Sequence, residues 1–165
     1  MHAASTLRRT CSLPFVLFLV LFSGCASVPT RLVTGYTPAA GEKAAKTAVS
    51  MVGRPYKERG DSPAGFDCSG LVRYSYLAAG LDAPHGARQL KTVTVPVGTK
   101  SLRKGDLLFF NEKGEMYSHV GISLGNSQFV HAPSSRKKVR KDSLKDPYWK
   151  KSFLEARRFN TENGL

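Results

Sequence analysis

The 165-residue sequence predicts an α+β domain, with helices first and an antiparallel sheet after them. Two features of the pattern carry that expectation. Between Glu42 and Ala79 the apolar residues recur at helical spacing, whereas from Leu107 onward they alternate between two faces. The second half is also punctuated by turn residues, above all Gly125-Asn126-Ser127 between two short alternating runs.

Residues 1–24 have the form of an export signal peptide. Arg8 and Arg9 precede an apolar run from Cys11 to Phe22, too short for the roughly 20 residues that span a bilayer. The run closes on Leu21-Phe22-Ser23-Gly24-Cys25, which resembles a bacterial lipobox, so that Cys25 becomes the lipidated first residue of the mature protein. A secretory signal cut nearby and an uncleaved anchor are the alternatives. Residues 25–41, small and polar with Pro29, Pro38 and Gly41, read as a lipidated N-terminus and flexible tether. This leaves 42–160 as the folded domain.

Within that domain, Glu42 to Val52 places Ala44, Ala45, Ala48, Val49 and Val52 on one helical face, and Gly53-Arg54-Pro55-Tyr56 ends the run. Lys57 to Gly65 is a charged loop. A second helix opens at Cys68: Asp67 is a good N-cap, Leu71, Ser75, Ala78 and Ala79 follow at helical spacing, and Gly80 stops it. Leu81 to about Val97 reads as a linker rich in Pro, His and Gly. Lys104-Gly105-Asp106 is a turn, and Leu107-Leu108-Phe109-Phe110 is a short buried strand. His119 to Leu124 alternates, with His119, Gly121 and Ser123 on one face and Val120, Ile122 and Leu124 on the other. Gln128 to His131 is the returning strand, and Val139 opens another. Residues 142–159 carry Tyr148, Trp149, Phe153 and Phe159 among lysines and arginines, without a clear period.

The net charge of +13 calls for an anionic partner such as membrane headgroups or an anionic wall polymer. Loss of residues 1–24 removes two arginines and no acid and leaves +11, so the basic character belongs to the mature protein. Nucleic acid is not the expected partner, because no helix–turn–helix, aromatic RNA-binding stretch or zinc-finger spacing accompanies the charge. A monomer is expected.

Cys68 is the thiol that signal removal leaves without a partner. At a helix start, free N–H groups and the helix dipole favour a thiolate. As a nucleophile it needs a base, and a third polar group to orient that base. Of the four histidines, His2 lies in the signal and His85 reads as a solvated loop residue. His119 and His131 lie on the two arms of one hairpin. They share a face only if the hairpin has an odd-length loop or a bulge, since a two-residue loop would pair 119 with 132. A small buried cysteine with two structural histidines is the bland alternative. A zinc site on Cys68, His119 and His131 is a further one, short of a local ligand pair and a nearby carboxylate.

Five blocks in order resemble the NlpC family of papain-like cell-wall cysteine peptidases: Gly53-Arg54-Pro55-Tyr56, Phe66-Asp67-Cys68-Ser69-Gly70-Leu71-Val72, Gly105-Asp106-Leu107-Leu108-Phe109-Phe110, Ser118-His119-Val120-Gly121-Ile122 and Phe129-Val130-His131-Ala132-Pro133. The resemblance covers about 42–159 and implies a papain-like fold and hydrolysis of amide bonds in peptidoglycan stem peptides. It makes Cys68 the nucleophile, His119 the general base and His131 the residue that orients it. Tyr56 matches a tyrosine near the nucleophile and, with the Cys68 N–H, is a candidate oxyanion donor. Asp67, Ser69 and Ser118 border the site as candidate oxyanion or substrate-binding residues. No metal or organic cofactor is implied. Peptidoglycan is the expected partner, and the lipid on Cys25 the expected link to a membrane. Ala26 after that cysteine fits outer-membrane sorting, with the domain on the periplasmic side. A non-catalytic peptidoglycan-binding lipoprotein, or an acyl or amide transferase using the same thiol, is the alternative.

Overall fold

The computed structural model describes residues 35–112 and 114–160, together with Met1. Residues 2–34, with Cys11, Cys25 and most of the expected signal and tether, lie outside the described residues.

Helix α1 (Pro38–Ser50) begins earlier than the apolar spacing implies. Thr37 is its N-cap and accepts the Ala40 N–H at 3.1 Å, while Pro38 presets the backbone of the first turn. The tether expected over 25–41 therefore gives way to helix at Pro38, and Tyr36 is already buried with its ring 6.1 Å from that of Phe159. The helix also stops at Ser50, so Val52 is exposed and not on the buried face. Ala44, Ala45 and Ala48 form that face, and their small side chains let α1 lie close against the core.

A short hairpin, β1 (Asp61–Ser62) and β2 (Gly65–Phe66), leads into helix α2 (Cys68–Ala78), capped by Asp67 as the sequence pattern predicts. The expected linker is in part structured. Residues Ala87–Thr92 form helix α3 and Thr94–Val97 form strand β3. α3 lacks a side-chain cap and is held by burial of Ala87 and Leu90.

Five more strands follow: β4 (Leu107–Glu112), β5 (Glu115–Gly125), β6 (Gln128–His131), β7 (Arg140–Ser143) and, after helix α4 (Pro147–Ser152), β8 (Phe153–Phe159). They pair antiparallel with β3 in the order β3-β8-β4-β5-β6-β7. The expected meander holds from β4 to β7, but β8 returns to the far side of β4 and breaks it. It is fixed there in part by an ion pair that no local pattern reveals, Arg158 on buried Asp106.

The sheet is covered on both faces. Leu107, Phe109, Val120 and Ile122 pack into a core with α1 and α2, while Leu108, Phe110 and Phe129 pack with Trp149 of α4. In the β5–β6 hairpin, Ile122 pairs with Val130 and Ser123 with Phe129, but Gly125 pairs with Gln128. This bulge puts His119 and His131 on one face, the α4 face.

Candidate active site

Cys68 opens α2 with its thiol against β5, at Val120. Its sulfur accepts hydrogen bonds from the Ser69 N–H and the Val120 N–H, the latter belonging to the peptide that joins His119 to Val120. Two close approaches permit this seat. A Cβ on Gly70 would lie 1.9 Å from the Gly60 carbonyl oxygen, and one on Gly121 would lie 2.7 Å from the Phe129 ring. Glycine is thus required where α2 meets the loop and where β5 meets β6.

The histidine rings stand on the α4 face, and the peptide joining His119 to Val120 is what reaches the thiol. His119 Nε2 lies 2.8 Å from His131 Nδ1, and both rings are buried. Trp149 stacks on His119 at 5.6 Å and meets His131 edge-on at 4.7 Å, while Phe110 and Phe129 close the sides. Two carboxylates unforeseen in the sequence complete the chain. Asp142 Oδ2 is 2.9 Å from His131 Nε2, and Glu112 Oε2 is 3.3 Å from His119 Nδ1. Because the imidazoles turn one nitrogen each toward the other, these three residues do not converge as zinc ligands would.

Burial governs the electrostatics. Enclosure, and secondarily the Asp67 charge, push the Cys68 thiol up to about 12 against the two backbone N–H groups. Burial in the aromatic cluster, with His131 adding to it, holds His119 well below the usual histidine value. His131 is also lowered by burial, although Asp142 opposes this. Near neutral pH the thiol and the His119 imidazole are both uncharged. This corrects the thiolate expected at a helix start, since desolvation outweighs the dipole here.

Tyr56, Asp67, Cys68, Ser69 and Ser118 line one open groove of about 390 Å³, joined by Arg88, Gln89, Glu115 and Tyr117. Burial, and then the Cys68 and Asp67 charges, push the Tyr56 hydroxyl up, so it remains a donor. Asp67 accepts the Gly70 N–H at 2.6 Å and the Ser69 hydroxyl at 2.9 Å. Ser118 faces inward: its Oγ accepts the Glu112 N–H at 2.8 Å and donates to the Glu112 carbonyl at 3.1 Å. Tyr148 donates to Glu112 Oε1 at 3.0 Å, and together these bonds aim the carboxylate at His119. His85 is not a free loop residue, because its Nε2 lies 3.0 Å from both Asp67 oxygens. Cys25 lies outside the described residues.

The sequence profile of the NlpC/P60 family matches residues 53–158. Among curated relatives, the murein DD-endopeptidase MepH of Escherichia coli is 35% identical over 133 residues, covering 75% of this chain and 49% of the relative. The E. coli murein DD-endopeptidase MepS/murein LD-carboxypeptidase is 40% identical over 104 residues, covering 62% and 54%. The chain thus spans about half the length of these curated relatives. Among solved structures, an NlpC/P60 family protein from Bacillus cereus superposes with a TM-score of 0.68 at 32% identity, over 75% of this chain and 41% of that one. The NlpC/p60 domain of the peptidoglycan hydrolase SagA gives 0.62 at 32% identity, over 72% and 97%.

Proposed function

Because this chain belongs to the NlpC/P60 family, with its papain-like α+β fold, we propose that it is a cysteine endopeptidase hydrolysing amide bonds in peptidoglycan stem peptides. The observation that carries this reading is the seat of the Cys68 sulfur on the peptide joining His119 to Val120, with His119 backed by His131. His119 Nδ1 takes the thiol proton as sulfur attacks the carbonyl carbon, and the adjacent Glu112 carboxylate supplies the imidazolium with a counter-ion. The oxyanion is met by the Cys68 N–H and the Tyr56 hydroxyl. Collapse breaks the C–N bond, and the departing amine receives the proton from His119. Water, deprotonated by His119, then attacks the thioester and releases the acid and the free thiol. Asp67 and Ser69 hold the helix start in shape, and Ser118 holds Glu112.

Incubation of the protein with purified peptidoglycan, followed by mass analysis of the products, tests this reading. New amine and carboxyl ends are expected, and none with Cys68→Ala. Undiminished cleavage by Cys68→Ala sinks the thiol mechanism, transpeptidated products favour a transferase, and binding without cleavage favours a recruiting lipoprotein.

At the envelope, residues 1–24 act as the signal and Cys25 carries the lipid, holding a monomeric domain on the periplasmic side of the outer membrane. The basis is Ser23-Gly24-Cys25 closing a short apolar run. Cys25→Ala is expected to appear in the soluble fraction after cell lysis, and persistence in the membrane pellet would remove the lipid anchor.

A further inference from the structure

Neutral imidazole carries one N–H, on either nitrogen, so a pair of hydrogen-bonded histidines can be written in two directions. In one, His119 Nε2–H donates to His131 Nδ1, and His119 Nδ1 is left bare as a base. In the other, His131 donates to His119, whose Nδ1 then carries a hydrogen and cannot receive the thiol proton. The 2.8 Å contact between the rings is compatible with both. Something outside the pair must choose.

Asp142 is placed to do so. In the β6–β7 ladder Phe129 faces Asp142 and His131 faces Arg140, so the pleat puts all four side chains on one face. Asp142 Oδ2 reaches His131 Nε2 at 2.9 Å, and Oδ1 accepts from Arg140 Nη2 at 2.6 Å. Burial acts to raise the Asp142 carboxyl, but the bonds from His131 and Arg140 outweigh it and hold the group below its ordinary value. Near neutral pH it is therefore an ionised group that only accepts. An acceptor at that point requires the His131 hydrogen on Nε2, which leaves Nδ1 bare. His119 must then place its own hydrogen on Nε2 and leave Nδ1 without one. The Glu112 carboxylate, 3.3 Å from Nδ1, pulls the other way, but Asp142 is the closer acceptor at 2.9 Å and is held in place by Arg140.

We infer that Asp142, pinned by Arg140, is a positioning residue that sets the tautomers of both His131 and His119 and so leaves Nδ1 as the basic nitrogen of His119. The inference rests on the peptidase reading, with His119 as the base. The rival is an ion pair that merely staples β7 to its neighbour.

Asp142→Asn separates the two. Arg140 only donates, so a side-chain amide beside it turns its oxygen to Arg140 and its NH₂ to His131. The shape is kept and the direction of the chain is reversed. In the full chain, histidine ring nitrogen NMR is expected to show both imidazoles with the hydrogen on Nε2 in the wild type, and on Nδ1 in Asp142→Asn. kcat is expected to fall at least about a hundredfold with KM little changed, as general-base function is lost. Asp142→Glu, still an acceptor, should restore the wild-type ring shifts and part of the turnover. His131→Gln, which can accept from His119 and donate to Asp142, should keep measurable turnover, whereas His131→Ala should not. A wild-type His119 with its hydrogen on Nδ1 overturns the inference, even if no variant folds. So does Asp142→Asn with unchanged ring shifts, or with kcat within threefold of wild type. The ring shifts need no substrate, so failure here is distinct from failure of the peptidase reading, which Cys68→Ala decides.

Discussion

At the scale of single residues, the proposed mechanism starts from two groups that burial keeps uncharged, the Cys68 thiol and the His119 imidazole. This has a consequence for pH. Activity of the free enzyme needs His119 unprotonated, and burial holds His119 well below its usual 6.5. The acid limb of kcat/KM is therefore expected below pH 6.5, while the thiol, pushed up to about 12, adds no limb near neutrality. A broad plateau across neutral pH should result, and an acid limb at or above 6.5 in a pH–rate profile would contradict it. Cys68, His119 and His131 stand out in the sequence as candidates because residue type and spacing mark them. Asp142, Glu112, His85 and Trp149 could not be. An aspartate on a lysine-rich strand and a tryptophan in a basic tail carry no local sign that the fold turns them toward one imidazole pair.

Among the elements, α2 matters most, since its first residue must meet β5 at Val120 to within a hydrogen bond. Gly70 sets that approach. Gly70→Ala drives a methyl into the Gly60 carbonyl at 1.9 Å, and relief requires the start of α2 to move. A loss of about 1–3 kcal/mol is expected, the range for overpacking a closed site. Turnover should drop further than stability accounts for, because the thiol moves with the helix. Denaturant unfolding and kcat measured on one preparation check this, and wild-type values for both would show that α2 has slack. Helices α1 and α2 and strands β4 to β6 were legible because each is long or strongly periodic. α3 and β3 are short and uncapped, with burial set by distant partners, and the arginines of β8 find theirs far along the chain, Arg157 on Thr94 and Arg158 on Asp106. The bulge at Gly125 was foreseen only as a condition for two histidines to cooperate, a demand of chemistry and not of hydropathy.

For the whole molecule, part of the excess positive charge falls in residues 136–151. Arg136, Lys137, Lys138, Lys141, Lys145, Lys150 and Lys151 are exposed, while Arg140 is engaged with Asp142. Exposed charges interact over about 8 Å at physiological ionic strength, so docking on an anionic wall should be steeply salt-dependent. Replacing three or more of the exposed lysines by Gln is expected to weaken binding to isolated sacculi at low salt and to change little at high salt. Binding that ignores both salt and the substitutions would leave this surface without a docking role.

The outermost place of β7 in the sheet has a thermal corollary. Its four residues are paired along one side only, to β6. Strands so placed open by fraying, at a free energy below that of global unfolding. When β7 lifts away, Asp142 leaves with it and His119 loses its direction while α1, α2 and the central strands remain folded. On warming, turnover should fade several degrees before the circular dichroism of the sheet collapses. If the two curves coincide, the edge strand is as firmly bound as the core.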